Sequence, residues 1–462
     1  MTSGTSTRRR LLQATGALTL SALAGCISGL GGGDDAQSPT PDLSEYAADR
    51  FPFDVTVEHD TADWEQYDPD WEAPETAPEP GGYEFEVLAE NLAIGWDMAF
   101  APNGELFVTE RTGRIVTVGE GEYEAVAEPD SVVDAEALDP GSQEDSWYVE
   151  GGEGGLLGIA VHPNYPDAPL VYTYFTTEVD GDRRNRVVAF DATADDPAEE
   201  SWPIVEGIPG GTYHNGGRIT FGPANYLRVA TGDGDPGIEN PEKIADPGEL
   251  GGKILRVNPD GTAPESNPDI GDDADPRVFT YGHRNPQGIS FLPDGTPVIT
   301  EHGPGGGDEV NVLRPGGNYG WPEARNSGEF DSYDGTDYQR PVAEAPSWAP
   351  SGSCFYTGDT VPSLRNRLLV GGLISQQLLA VTITRDGSRL SSNHEAVHDA
   401  GWMDEEYHAA STGLLENELG RVRHVEQGPN GDLYAVTSNR DGRAEGGFPT
   451  ERDDVLVRLH PA

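Results

Sequence analysis

Cysteine and positive charge are what this chain of 462 residues has least of. Its two cysteines, Cys26 and Cys354, exclude a disulfide framework, and the first belongs to an export signal. Lys and Arg together number 29 against 81 Asp and Glu, a formal charge of −52. A field of that sign repels nucleic acid. The acids are scattered along the chain and not gathered in a tail, which fits a whole surface adapted to very high salt, where screening makes self-repulsion tolerable. Specific acidic binding is the other reading. Long apolar runs are missing too: the one at 11–24 is too short to span a bilayer as a permanent helix. Almost no long stretch has helical periodicity, which leaves an all-β class.

What is present agrees with that class. Sixty Gly, 37 Pro and many aromatics suit a turn-dense β protein. The N-terminus reads "TSTRRRLLQATGALTLSALAGC", in which Arg8 and Arg9 before leucines resemble a twin-arginine signal and "LAGC" a lipobox ending at Cys26. Residues 1–25 are therefore expected to be a signal peptide, with the exported chain lipid-anchored through Cys26 to the outer face of the cell membrane. An uncleaved membrane-associated start is the alternative. Residues 26–82, with "GGGDDAQSPTPD" and "YDPDWEAPETAPEPGG", read as a disordered acidic tether, and the folded domain is expected over 83–462.

One pattern recurs along that domain: "FAPNGELFVTE" at 100–110, "FGPANYLRVATGD" at 221–233, "FLPDGTPVITE" at 291–301 and "QGPNGDLYAVTS" at 427–438. Each joins a Pro-centred turn, usually with Asn-Gly or Asp-Gly, to an alternating strand that ends in polar residues. One such unit cannot bury both its faces alone, so its repetition predicts a β-propeller, with a β-sandwich as the other solution. Units of about 50 residues give six blades. Long Gly-rich insertions at 141–158, 232–251 and 302–322 mark the face where a propeller builds its binding site.

Several constellations carry chemistry. "GGTYHNGGRITF" at 210–221 sets His214 among glycines that let a ligand come close, and a histidine is the natural general base near neutral pH. Asp233, at the end of the strand that follows, can orient the imidazole; a structural hydrogen bond is the other use of His214. "YGHRNPQG" offers Arg284 and Asn285, suited to a carboxylate or a planar anionic cofactor, or to an ion pair with one of the many acids. "GRVRHV" puts Arg421 and Arg423 on one strand face, for a shared anionic target or an ion-pair network between blades. Glu153 lies in a glycine stretch before an apolar strand. "EHGPGGGDEVNVLRPGGNYGWP" at 301–322 combines outward carbonyls with Glu301, Asp308, Glu309 and Tyr319, the hard oxygen donors that Ca²⁺ takes, or else a solvated acidic loop.

Taken in order, "EGGLLGIAVHP", "HNGGRITFGP", "GGKILRVNPDG", "YGHRNPQG", "EHGPGGGDEVNVL", "NYGWP" and "GRVRHVEQGPNGDLYAV" resemble the soluble quinoprotein sugar dehydrogenases of the glucose/sorbosone dehydrogenase family, above all the aldose branch. The resemblance covers about 83–462. It implies a six-bladed propeller that carries pyrroloquinoline quinone (PQQ), held with Ca²⁺, and oxidises an aldose at C1 to the lactone. His214 then matches the general base that takes the C1 hydroxyl proton as hydride leaves for the quinone, and Asp233 its orienting carboxylate. Arg284 and Asn285 match quinone contacts, Arg421 and Arg423 the pair that binds PQQ carboxylates, and Glu153 a Gln or Glu beside the cofactor. The carbonyls of Gly303 and Pro304 match ligands of the cofactor's Ca²⁺, and Glu309 and Tyr319 resemble ligands of a second, structural Ca²⁺.

Two departures from the family pattern stand out. Ile374 occupies a position after "LLVGGL" where members often have a lysine, and Tyr213 precedes the histidine where the glucose-specific branch has an acid. The second points away from strict glucose specificity. The resemblance further implies an electron acceptor, whether a small quinone, a blue-copper protein or a cytochrome. A non-catalytic propeller that binds a sugar or protein partner is the competing function, against which the retained base and arginines count. A metal-dependent lactonase would need a central cluster of acidic and Asn ligands, which the sequence does not place.

Overall fold

In a computed structural model the described residues are 50–462, apart from 120–122, 143–151, 235–240, 326–332 and 334. They form six antiparallel sheets arranged as a six-bladed β-propeller. Five sheets have four strands; the other, starting at Pro350–Tyr356, gains a fifth from Ala396–His398. The innermost strands are Gly95–Phe100, Leu156–Val161, Gly216–Phe221, Pro286–Phe291, Pro350–Tyr356 and Val422–Gln427, each packed against the next around a closed ring. The ring is fastened by its first and last strands. Tyr83–Ala89 pairs antiparallel with Leu456–Pro461, from Tyr83 opposite Pro461 to Ala89 opposite Leu456, so strands from both termini complete one blade.

Each recurring turn joins an innermost strand to its neighbour, as in Ala101–Glu105, where Gly104 takes a φ of 88° that favours glycine. The second strand of each repeat then returns to the opposite face. Its polar end is therefore carried back there: Glu110, Asp233, Glu301 and Ser438 end these strands or follow them within two residues, and all four are buried. All six innermost strands also slip register within their first residues, between Gly95 and Asp97, Leu156 and Ile159, Gly216 and Ile219, Pro286 and Gly288, Pro350 and Ser353, and Val422 and His424. Such bulges re-aim side chains at a rim. Close approach at this level needs glycine: a Cβ on Gly158 would lie 2.1 Å from the carbonyl oxygen of Gly217 on the next blade.

The expected tether is corrected at its C-terminal end. Residues 50–76 cross the turn face of the propeller, opposite the polar strand ends. Phe51 and Val55 are buried in one core cluster with Tyr172 and Val229. Trp64 meets Phe291, Trp71 meets Phe355, and His59 stacks on Tyr226 with ring centroids 4.0 Å apart. Side-chain amides of Asn225 and Asn366 donate to the carbonyls of Glu58 and Glu72. The acidic, Pro-rich composition of this segment conceals spaced aromatics, each of which removes a large apolar surface from water. The expected signal peptide, residues 1–25, and Cys26 lie outside the described residues.

Candidate active site

The loop that precedes Gly216–Phe221 holds His214 in the left-handed region, φ 54°. Three contacts fix it there. Its backbone N–H donates to Glu153 Oε2 at 2.9 Å, and its carbonyl accepts from the Gly234 N–H at 3.1 Å. The following Asn215 ties the loop to itself by bonds to both backbone groups of Gly211. Across the loop, a Cβ on Gly232 would fall 1.8 Å from the His214 carbonyl oxygen, so glycine in "ATGDGD" is what lets the two segments meet.

His214 Nδ1 lies 2.9 Å from Asp233 Oδ1, and the other carboxylate oxygen accepts from Trp321 Nε1 at 2.9 Å. Asp233 is buried, whereas the His214 side chain stays 20% exposed. A carboxylate at Nδ1 fixes that nitrogen as the donor and leaves Nε2 as the basic, accessible atom. The dyad expected from the sequence is thus assembled, with Trp321 as a third member that sequence reasoning did not assign.

Around it stand arginines. Arg284 sits beside Asp233, whose N–H donates to the Arg284 carbonyl at 2.8 Å; the Arg284 guanidinium donates to the His302 carbonyl at 3.2 Å and lies 5.5 Å from the Trp321 ring centre. Asn285 is buried and accepts from the Gly216 N–H at 3.0 Å, which makes it a support for the histidine loop. Arg421 and Arg423 share Asp441, at 2.9 and 3.4 Å, and Arg423 also donates to Gln287 Oε1 at 3.0 Å. Arg443 pairs with Glu153 at 2.9 Å, and Arg111 lies close by. Neither Arg111 nor Arg443 was singled out from the sequence. Arg111 follows the polar end of the first recurring strand, a position that the repeat itself marks.

The electrostatics follow from this crowding. Burial alone would raise the Glu153 carboxyl, but Arg443 and His214 bring it down to about 2. Burial lowers Arg423 to about 9, against the pull of Asp441 and with Arg421 and Arg111 adding repulsion. Burial likewise lowers Arg111 to about 10, and its Nε and one Nη are buried with no hydrogen-bond partner among the described residues, as is Arg284 Nε. In a chain so poor in bases, five arginines converge on three carboxylates, Glu153, Asp233 and Asp441. The excess positive charge and unused donors suit a polyanionic ligand.

The turn at 302–307 borders this site. Asp308 shapes it, accepting from the Gly303 N–H at 3.0 Å and the Ala349 N–H at 2.7 Å. No hydrogen bond among the described residues ends on the carbonyls of Gly303 or Pro304, so both are free to face a cation. The second expected calcium site is placed differently. Glu309 accepts from Arg325, from Tyr333 at 2.9 Å and from Asn311 at 3.0 Å, while the Tyr319 hydroxyl donates to the Val312 carbonyl at 2.7 Å and accepts from the Arg314 N–H at 3.0 Å. The Glu309 carboxylate and the Tyr319 hydroxyl are thus already engaged. Ile374 is 67% exposed beside Leu373, which lines the site.

The sequence profile of glucose/sorbosone dehydrogenases matches residues 92–446. The chain belongs to the glucose/sorbosone dehydrogenase family. As a member it is similar to an uncharacterized protein of Synechocystis, 33% identical over 77% of this chain and 84% of that one. It is also similar to the aldose sugar dehydrogenase YliI of Escherichia coli, 27% identical over 80% of this chain and 93% of the relative. Among solved structures, a PQQ-bound aldose sugar dehydrogenase of Streptomyces coelicolor superposes with a TM-score of 0.62 at 30% identity, covering 83% of this chain and 99% of its own. Glucose/sorbosone dehydrogenases are oxidoreductases, and the expectations of a six-bladed propeller and of that enzyme class hold.

Proposed function

We propose that this chain is a PQQ- and Ca²⁺-dependent aldose dehydrogenase that converts a sugar's C1 hydroxyl to the lactone. The observation that carries the reading is the His214–Asp233 pair set beside a cluster of buried arginines with unused donors. Arg421, Arg423, Arg111 and Arg284 are the groups that would hold the three carboxylates and the quinone edge of PQQ. The free carbonyls of Gly303 and Pro304 would hold its Ca²⁺. When bound, PQQ supplies the acceptor for hydride from C1, with Ca²⁺ polarising the quinone carbonyl.

The chain's own residues do the rest. His214 Nε2 takes the proton of the C1 hydroxyl, a contribution worth roughly 10²–10⁴ in rate. Asp233 stabilises the imidazolium that forms, and Trp321 keeps that carboxylate aimed. Glu153, ionised across the working pH range, holds the His214 backbone and so fixes the ring's approach. Tyr213, where the glucose-specific branch has an acid, favours a broad aldose range over strict glucose specificity.

The electron acceptor would be a small quinone, a blue-copper protein or a cytochrome. We further read the N-terminus as a twin-arginine signal with lipid attachment at Cys26, which holds the enzyme on the outer face of the membrane. Purified protein loaded with PQQ and Ca²⁺ in high salt, tested for dye reduction with a panel of aldoses, tests the activity. Turnover dependent on PQQ is expected; no turnover together with no PQQ-dependent rise in melting temperature overturns it.

A further inference from the structure

Behind the site, the Arg325 guanidinium is buried, its side chain 1% exposed, and bridges two buried carboxylates, Glu301 and Glu309. The other oxygens of those carboxylates also meet donors. Glu301 Oε1 accepts from the Arg284 N–H at 2.8 Å as well as from Arg325, and Glu301 Oε2 meets His283 Nδ1 at 2.8 Å. Glu309 Oε1 accepts from the Tyr333 hydroxyl and Oε2 from Asn311 and Arg325. Calcium takes six to eight oxygens with free lone pairs. Here all four carboxylate oxygens already receive N–H or O–H donors, and a fixed cation stands between the two acids.

We infer that Arg325 is a built-in cation that takes the place of a structural metal ion between Glu301 and Glu309. The planar fork suits the task, because each of its two Nη atoms reaches a different carboxylate. A divalent ion could enter only by expelling a buried guanidinium, against like-charge repulsion. The bridge also ties together the segments that carry the site. Glu301 receives the backbone of Arg284, and Arg325 lies 5.7 Å from the ring centre of Trp321, the residue that donates to Asp233. Arg325 thereby lies three contacts from His214, through Trp321 and Asp233.

The test compares wild-type protein with Arg325→Ala, both free of PQQ, by thermal melts and calorimetric Ca²⁺ titration in concentrated KCl, where weak surface binding is suppressed and common to both. Wild type should melt at the same temperature after chelation as in millimolar Ca²⁺. Arg325→Ala should melt roughly 5 °C or more lower, because it leaves two buried acids uncompensated. It should then gain one more Ca²⁺ equivalent than wild type and recover part of the loss when Ca²⁺ is added. Equal stoichiometry in the two proteins overturns the inference. If Arg325→Ala does not fold, wild type alone decides: a melting temperature lost on chelation and restored by one equivalent of Ca²⁺ overturns it, and insensitivity supports it. The double variant Glu309→Gln/Arg325→Met, which removes one charge of each sign, should fold and show no Ca²⁺ response beyond wild type; a response there also counts against the inference. None of these readouts uses catalysis, so failure of the dehydrogenase reading would leave them unchanged.

Discussion

Trp321 and His214 hold opposite oxygens of one buried carboxylate: the indole N–H reaches Asp233 Oδ2 and the imidazole faces Oδ1, each at 2.9 Å. The histidine's orientation thus depends on a residue 107 positions away in the chain (321 − 214). Replacing Trp321 by Phe keeps the apolar bulk and removes one hydrogen bond, worth about 0.5–1.5 kcal/mol. A fall in kcat of roughly 3–10-fold is expected, with PQQ affinity nearly unchanged. His214→Ala and Asp233→Asn should cost far more, roughly 10²–10⁴ in kcat. Steady-state kinetics on the loaded enzyme, beside PQQ titrations, separates the two effects. A Trp321→Phe enzyme with wild-type kcat would remove the indole from the site's support.

The arginine cluster sets stability against binding. Arg111, Arg421 and Arg423 repel one another around Asp441, and burial has already lowered Arg423 to about 9. Arg111, with unused donors among the described residues, adds to this repulsion. Arg111→Met should therefore leave the melting temperature of the cofactor-free protein unchanged or higher, while PQQ binding weakens by roughly 10–100-fold through loss of a charge-assisted contact. Opposite signs in the two measurements are the signature. If both fall, Arg111 is a structural cation. The same experiment bears on Ile374, since these arginines are the cations left to do the work of the lysine that family members often have there.

The belt over the turn face carries a third expectation. A chain that begins at residue 83 loses Phe51, Val55, Trp64 and Trp71 and uncovers the core clusters they close. It should melt well below one that begins at residue 50, or fail to accumulate in soluble form. The Phe51→Ala variant of the longer chain should lose about 2–3 kcal/mol, less than a central core aromatic because the segment can shift. Chemical denaturation of the two lengths checks this, and equal midpoints would restore the reading of 50–82 as tether.

That segment also explains what the sequence could and could not convey. The propeller was legible because Asn-Gly and Asp-Gly turns recur with the same strand after them, and because the polar ends of those strands all arrive at one face. His214, Asp233 and the arginines at 284, 421 and 423 were legible because each stands in a short motif of its own. Trp321 reads as one more core aromatic until the fold brings it to Asp233. Arg325 is equally silent: it lies 16 residues from Glu309 and 24 from Glu301, in no periodic element, and only tertiary packing places it between them. The belt was hidden because composition averages over residues, whereas burial of a few aromatics decides whether a segment docks.

The turn face holds a cavity of about 1020 Å³, and a second polar cluster lines it. Asp97 forms an ion pair with Arg218, His424 Nε2 lies 3.4 Å from Asp97 and 3.2 Å from Glu426, and Trp96 sits under the Arg218 guanidinium at 4.3 Å. Partial burial, with 34% of the side chain still exposed, and the neighbouring Asp97 charge raise the Glu426 carboxyl from 4.5 toward about 8. The folded state therefore keeps this proton through a range where the unfolded chain has lost it. Stability from Glu426 is complete below about pH 4.5 and declines as pH rises to about 8. Glu426→Gln, which mimics the protonated form, should remove that decline: the two proteins should match at low pH, and the variant should melt higher at pH 8. The difference in melting temperature between them, followed from pH 4 to pH 9, isolates this one group from the many other acids. A constant difference across the range would mean that Glu426 titrates as an ordinary surface carboxylate.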